Sequence, residues 1–492
     1  MSVRRNARIV ALGGAFAQLA FGLRGIVVAR LIGPENMGMV AAFFVVLAVV
    51  DAFGPLGVDA FVAQRRALPR DALLRTTHAI ALGRGLLGAL LLLAAAYPVA
   101  RSFEATEAIA GFLTLALVPV LRGFISSGVH LQPRLERAKA AAAQELWTQG
   151  VGFVAGVAVA WWTGNWWTAV AFMVGQTLAQ VVVSHLYAAD PWRLGLDRPI
   201  LRESFRFGWP LFAAALAVVL ARQGDRLLLG VAPAWFDAPY SKADLGRYAV
   251  AVAVALLPLR VCRQMMRNVF LPWMTAAAEP AEVLRRRRIT LICFALLAGA
   301  FAVATSTVAG ELLGLLVGRE YGALGLLVAA LGTAQAVNLL RLPAEAVALA
   351  VGSTAEVMFG DLVRLLCLAL ALPVVLLGAR IEWLAAAALA GEWVALAVTE
   401  ARLHRRGLGN GRWRYSASLW ALGVIALAGL CALLGPRWGG WVLLLAGTGA
   451  AALGALAVRR WQPEFWAQIL RFVDLVRRGR PDAPPEERPG QA

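Results

Sequence analysis

Apolar stretches long enough to cross a bilayer recur along this 492-residue sequence and leave little chain between them. A hydrocarbon core of about 30 Å takes about 20 residues of helix. On that ruler, spans are expected near 9–31, 39–62, 78–100, 107–129, 145–163, 166–188, 207–231, 247–273, 289–310, 323–347, 358–379, 383–401, 416–434 and 440–458. Backbone amides and carbonyls find no water in lipid, so each stretch must satisfy them internally, as a helix does. The fold class expected is therefore all-α, a polytopic membrane protein with about fourteen transmembrane helices. Composition agrees. Hydrophobic residues make up 60% of the chain and charged ones 15%, where about 25% charge is usual in soluble domains. The first span holds Arg24, is too long for a cleavable signal and lacks a cleavage site.

The net charge of +18 falls on alternate connections. The even-numbered ones carry Arg65, Arg66, Arg70 and Arg75; Arg134, Arg137 and Lys139; Arg193, Arg198, Arg202 and Arg206; Arg285–Arg288; and Arg402, Arg405, Arg406, Arg412 and Arg414. The odd-numbered ones carry one basic residue or none, apart from Lys242 and Arg247. Basic loops stay in the cytoplasm, so both termini are expected there. The Arg285–Arg288 run reads as a topology determinant touching anionic lipid, because no polar domain is present to carry a nucleic-acid site. Lysine occurs only at Lys139 and Lys242; a GC-rich genome accounts for that as well as phosphate or carboxylate recognition does. Cys262, Cys293, Cys367 and Cys431 are widely spaced in apolar stretches, and no metal or disulfide pattern links them. His78, His130 and His185 fall at expected helix ends and His404 in a basic loop, which suits interfacial roles.

An internal repeat is visible. Ala29–Val40 (ARLIGPENMGMV) resembles Leu227–Val250 (LLLGVAP…ADLGRYAV). In each, an apolar helix ends at a glycine (Gly33 or Gly230), a turn follows, and Met37-Gly38 or Leu245-Gly246 opens the next helix. Six spans separate the copies, an even number, so the halves keep one orientation and form a parallel repeat. The domains expected are a first six-helix lobe over 1–190, a second over 191–405, two further helices over 406–460, and a cytoplasmic tail over 461–492. The lobes would flank a central cavity. The tail's first part suits an interfacial helix, and Pro481–Ala492 has the composition of a disordered end.

Charge inside a span is costly and as a rule faces a bundle interior or a wet cavity. Arg30, Arg84 and Arg267 lie near enough to a span end to snorkel. Arg24 lies deeper, roughly 15 residues or about 22 Å into its span, and is the leading candidate for substrate contact. Gly14, Gln18, Gly22 and Gly25 form a separate small, polar face of the same helix. Arg260, Arg263 and Arg267 share one face of the eighth span, with Pro258 before them as a candidate kink. Arg222, Asp225 and Arg226 share a face of the seventh; an internal ion pair tying the two spans together fits as well as ligand contact.

The substrate-binding candidates are thus Arg24, Arg222, Arg226, Arg260 and Arg263. Asp51, midway along the second span, could hold Arg24 in the empty state or take up a proton, and with Asp225 it is the candidate for ion coupling. Arg341, Glu345, Asp361 and Arg364 lie toward the cytoplasmic ends of the tenth and eleventh spans, and Asp59 and Arg122 at similar depth in the other half. Pairing across the halves would make these six an inner gate; local pairing within one half is the alternative. A cavity with surplus arginine attracts an anion, and bidentate contact suits phosphate.

No catalytic residues are expected. Walker P-loop, HExxH and GxSxG patterns are missing, and the glycine-rich Gly407–Gly411 stretch has no strand before it. The connections are also too short for a soluble catalytic domain, and no cofactor is expected.

Three segments carry a resemblance: FAQLAFGLRGIVVARLIGPENMGMVAAFFVVLAVVDAFGPLGVDAFVAQRR, RQGDRLLLGVAP…LGRYAVAVAVALLPLR, and LLGLLVGREYGALGLLVAAL. Over roughly residues 8–460 the chain resembles bacterial polysaccharide, or O-antigen (Wzx-like), flippases of the multidrug/oligosaccharidyl-lipid/polysaccharide exporter superfamily. The resemblance implies two six-helix lobes plus two helices, alternating access around a basic cavity, and no enzyme activity. It implies as cargo a polyprenyl-pyrophosphate-linked oligosaccharide, moved outward across the bacterial inner membrane with proton or sodium coupling. The partners it implies are that lipid-linked oligosaccharide, membrane lipids, a polysaccharide polymerase and glycosyltransferases, with no nucleic acid. Carried over, Arg24 and the arginines of the seventh and eighth spans would contact phosphates or sugars, more loosely at Arg260 and Arg263.

Rival readings differ in chemistry. A multidrug exporter of the same superfamily would need an acid-lined cavity. A flippase for a lipid-linked peptidoglycan precursor would share the basic one. A membrane-embedded glycan polymerase or ligase would need larger outer loops, and a non-transporting scaffold would leave the buried charges unexplained.

Overall fold

The computed structural model describes residues 3–52, 69–131, 134–277 and 279–408, together with residues 62 and 423. The expected spans at 416–434 and 440–458, the tail, and Asp59 lie outside the described residues. Every regular element among the described residues is helical, and the described parts of the other twelve expected spans all fall on helices. Helix α1 (Val3–Ala52) holds the first two and doubles back at Gly33, whose φ of 75° and ψ of 172° break the helix. Glycine reaches that conformation without steric cost, and Pro34 then starts the second arm, where its missing N–H is no loss. The arms lie side by side: Arg24 of the first and Phe44 of the second both rest against Phe172.

The third span is α2 (Arg70–Ser102); the fourth is split into α3 (Ile109–Leu115) and α4 (Leu117–Gly123). α5 (Arg134–Thr163) and α6 (Trp167–Tyr187) follow. α7 (Arg198–Phe236) begins where the Asp197 carboxylate accepts the Ile200 N–H at 3.1 Å, a cap that satisfies an orphan amide. α8 (Lys242–Met265) begins at a capping box made by Ser241 and Asp244. Pro258 lies inside it, and a π-helical turn over Met266–Phe270 follows, leading into α9 (Leu271–Thr275). The remaining helices are α10 (Pro280–Thr307), α11 (Ala309–Leu316), α12 (Gly325–Ala350), α13 (Thr354–Val363), α14 (Leu366–Leu376) and α15 (Glu382–Arg405). Among the described residues nine helical stretches are long and apolar enough to cross a membrane. The chain is a multi-pass membrane protein.

Side-chain size sorts the faces of these helices. On α2, Leu86, Leu87, Leu90 and Leu93 are exposed, whereas Gly85, Gly88, Ala89 and Ala96 are buried. A Cβ at Gly85 would lie 2.3 Å from the Pro119 carbonyl oxygen. Without a hydrophobic drive between helices in lipid, close approach through small residues supplies the packing.

One end of the bundle is sealed where the two repeat copies meet. A Cβ at Gly38 would lie 2.0 Å from the Lys242 carbonyl oxygen, and one at Gly246 would lie 1.9 Å from that of Pro34. The glycines that open the second helix of each copy therefore press backbone against backbone. Around them, Lys242 Nζ meets Glu107 Oε1 at 2.5 Å and Glu35 Oε1 at 4.0 Å. Arg30 Nη1 donates to the Leu315 carbonyl at 3.2 Å, and Trp235 Nε1 donates to Ser102 Oγ at 3.1 Å. Exposed Trp161, Trp162, Trp235 and Trp383 also gather at this end, as aromatic belts do at a membrane interface.

The described parts of the expected basic loops fall at the opposite end, and several of their arginines are internal. Arg285 and Arg286 both bind Glu282. Arg287 is fully buried, with Nη2 2.7 Å from both Glu400 carboxylate oxygens. That helix-starting run is thus packed structure as well as surface charge. His78, expected at an interface, is buried: its Nε2 accepts the Ser127 N–H at 3.2 Å.

Candidate functional site

Three of the five candidate arginines, from three helices, converge on one cavity. Arg24 of α1, Arg226 of α7 and Arg260 of α8 line about 1090 Å³ of atom-free space, its open mouth included. Phe172 of α6 and Phe44 of α1 add an apolar wall, and among the described residues no carboxylate lines the cavity. Arg24 is buried, its guanidinium carbon 3.4 Å from the centre of the Phe172 ring. That cation–π contact partly offsets its desolvation. Arg260 acts electrostatically on Arg24, and Arg226 on Arg260. Like charges held together away from water repel strongly, and an anion placed among them relieves the repulsion.

Arg226 is held from below. Its Nη2 donates to the Arg222 carbonyl at 2.6 Å, and its Nε lies 3.5 Å from Asp225 Oδ1. The other Asp225 oxygen accepts the Tyr248 hydroxyl at 2.9 Å. Tyr248 is fully buried on α8, so Asp225 ties α7 to α8 while it steadies a cavity arginine. A hydrogen bond to a charged group is worth about 1.5–3 kcal/mol. Tyr248→Phe should lower stability by that amount, read as an earlier midpoint of thermal unfolding in detergent. An unchanged midpoint would mean that the Tyr248–Asp225 bond contributes nothing.

Arg222 and Arg263 lie beside the cavity, not in its lining. Arg263 Nη2 donates to Asn338 Oδ1 at 3.0 Å, Asn338 Nδ2 donates to Glu392 Oε1 at 2.9 Å, and Arg364 Nε meets the same oxygen at 2.7 Å. Arg341 is fully buried between Glu345 and Asp361, with Nη2 at 3.2 and 3.0 Å. Asp51 forms a close ion pair with Arg122. Among the described residues, then, the gate candidates pair within their own halves, and none reaches across to the other. The Phe172 ring and the partners Tyr248 and Asn338 are additions that the sequence did not single out as site residues, whereas Glu392 is one of the intramembrane acids that the spans place at candidate depth. Among the described residues no group of His, Cys, Asp and Glu could hold a metal ion.

A family model described as polysaccharide biosynthesis protein matches residues 27–324. The chain belongs to that family. Among solved structures it is similar to one described as the lipid II flippase MurJ in an inward closed conformation. The TM-score is 0.72 at 12% identity, covering 92% of this chain and 98% of that one. It is also similar to an inward-facing multidrug resistance MATE family transporter of the MOP superfamily, with TM-score 0.59 and 16% identity over 85% of this chain and 98% of the other. An outward-facing MATE structure gives TM-score 0.51 and 16% identity over 82% and 96%. At such identities the likeness shows the fold, that of MOP-superfamily transporters. No curated protein matches the sequence.

Proposed function

We propose that this family member flips a polyprenyl-diphosphate-linked oligosaccharide outward across the bacterial inner membrane by alternating access. The observation that carries the reading is the convergence of Arg24, Arg226 and Arg260 on a cavity that no carboxylate lines among the described residues. Guanidinium forks match phosphate oxygens bidentately, whereas a multidrug cation would need the opposite charge. In this reading the sealed end faces outward and the arginine-rich end, with both termini, faces the cytoplasm. Asp225 is the candidate for proton or sodium coupling because it touches Arg226. Closing the cytoplasmic end would re-pair Arg122, Arg341, Glu345, Asp361 and Arg364 across the two lobes, whose boundary is placed at residues 190 and 191. A polymerase and glycosyltransferases acting on the same lipid are the partners this reading predicts.

A flippase for a peptidoglycan lipid precursor is the second reading, favoured by likeness to a structure described as a lipid II flippase. Deleting the gene separates the two by which lipid is retained. The first reading expects intact lipid-linked oligosaccharide to accumulate on the cytoplasmic face, with Arg24→Ala failing to rescue export by at least about tenfold, the scale of one lost charge-assisted contact. Retention of the peptidoglycan precursor instead would select the second. Finished oligosaccharide that reaches the outer face but stays unpolymerised would sink both.

A further inference from the structure

A second group of charges lies one helical turn from the cavity, away from the sealed end. α7 runs toward that end and α8 away from it. Arg222, one turn before Arg226, and Arg263, one turn after Arg260, are therefore displaced in the same direction, by about 5 Å along the bundle. Arg263 has a buried Nε without a hydrogen-bond partner. Arg222 is exposed, yet the charges acting on it come from three neighbouring helices: Arg263 on α8, Glu345 on α12 and Asp361 on α13, with Arg364 just beyond α13. It therefore lies on the side of α7 turned toward α8, α12 and α13. Among the described residues its guanidinium makes no hydrogen bond or contact ion pair.

The carboxylates nearby are engaged elsewhere. Glu345 and Asp361 both hold Arg341, and Glu392 holds Arg364 and Asn338. Among the described residues, four arginines, Arg222, Arg263, Arg341 and Arg364, thus meet three carboxylates, and Arg222 and Arg263 are the two that hold none of them. Surplus charge at membrane depth is costly and marks a path for ions or substrate. Arginine adds a planar fork suited to phosphate oxygens.

We infer that Arg222 and Arg263 form a second anion subsite of phosphate or diphosphate class, one turn outside the arginine cavity. It holds the charged group before that group reaches Arg24, Arg226 and Arg260. The inference rests on the reading of the cargo as an anionic head group. The two levels share a backbone link, because Arg226 Nη2 bonds the Arg222 carbonyl; the head group climbs an arginine ladder with one rung on each turn.

The test is a calorimetric titration of the full-length protein in lipid nanodiscs, with geranylgeranyl diphosphate and, separately, with inorganic pyrophosphate. Wild type should bind in two steps. Arg222→Gln should weaken one step about tenfold or more, Arg24→Gln the other, and Arg222→Lys should recover part of the first. Two steps with the lipid diphosphate alone assign the subsite to a lipid head group; two steps with pyrophosphate alone assign it to a soluble phosphate. A single step in wild type with both probes, or an Arg222→Gln isotherm identical to wild type, overturns the subsite. If Arg24→Gln is also without effect, the cavity reading fails with it; if Arg24→Gln weakens binding and Arg222→Gln does not, only the second subsite falls.

Discussion

Gly246→Val should open the sealed end of the bundle and arrest flipping. The new Cβ would start 1.9 Å from the Pro34 oxygen and 2.7 Å from the Gly38 nitrogen. Both obstacles are backbone, so no rotamer change can relieve them, and the helices themselves must separate. Overpacking a core costs about 1–3 kcal/mol even where side chains can shift. At about 3 kcal/mol, with tenfold for every 1.4 kcal/mol, the closed form loses roughly 100-fold in population against the open one. In a cysteine-free background, Ala253→Cys places a thiol in the cavity lining. An impermeant maleimide added on the sealed side should label it at least tenfold faster once Gly246→Val is present, and Gly38→Val should act the same way from the other half. Lys242→Glu should do so weakly, because a partly exposed ion pair is worth about 1 kcal/mol or less. Unchanged labelling together with intact flipping would mean that this contact is no gate.

The two short glycine motifs at this contact were legible, but the contact was not. Gly33, Gly38 and Gly246 stand out in the sequence because two short motifs share them, and a parallel repeat is what the even count of spans between the copies leads one to expect. That the copies touch each other, and touch at their glycines, depends on how whole helices pack, which a local pattern does not carry. Span boundaries show the same limit. Hydropathy starts the seventh span near 207, whereas the Asp197 cap starts α7 at Arg198, because a cap acts on the backbone whatever the apolar run does.

The site was legible in its faces and illegible in its partners. Helical spacing put Arg222 with Arg226, and Arg260 with Arg263, on common faces. It could not divide each pair between cavity and flank, because that depends on where α1 and α12 cross them. Partner choice was harder still: Arg122 finds Asp51, and Arg364 finds Glu392, across long separations in sequence. Phe172 carried no signal, being one apolar residue in an apolar helix. Arg287 misled by its company. Four arginines in a row read as a surface loop, but from Pro280 the chain is helical. Successive side chains there fan out by about 100°, so Arg285 and Arg286 return to Glu282 while Arg287 turns inward to Glu400.

Arg341→Met should produce the largest loss of stability. The guanidinium is fully buried, and Glu345 and Asp361 share its Nη2. Its environment is built to fit: a Cβ at Gly360 would lie 2.8 Å from Nη1. Methionine fills much of the same volume but leaves two largely buried carboxylates facing each other without a counter-charge. Removing one partner of a buried ion pair costs about 3–5 kcal/mol, whereas replacing the whole set by neutral groups of similar size is close to neutral. Adding Glu345→Gln and Asp361→Asn to Arg341→Met should therefore restore most of the thermal stability in detergent that the single change removes. Arg341→Lys should recover less than the triple variant, since a single ammonium cannot reproduce the planar fork. The comparison also separates two roles for these residues. If the triple variant is stable but no longer flips lipid-linked oligosaccharide, the charges serve the transport cycle, as re-pairing at an inner gate requires. If it is both stable and active, the cluster is packing alone, and the gate must be sought among other residues. A single variant as stable as wild type would show that water reaches Arg341 and that the charge is not buried at all.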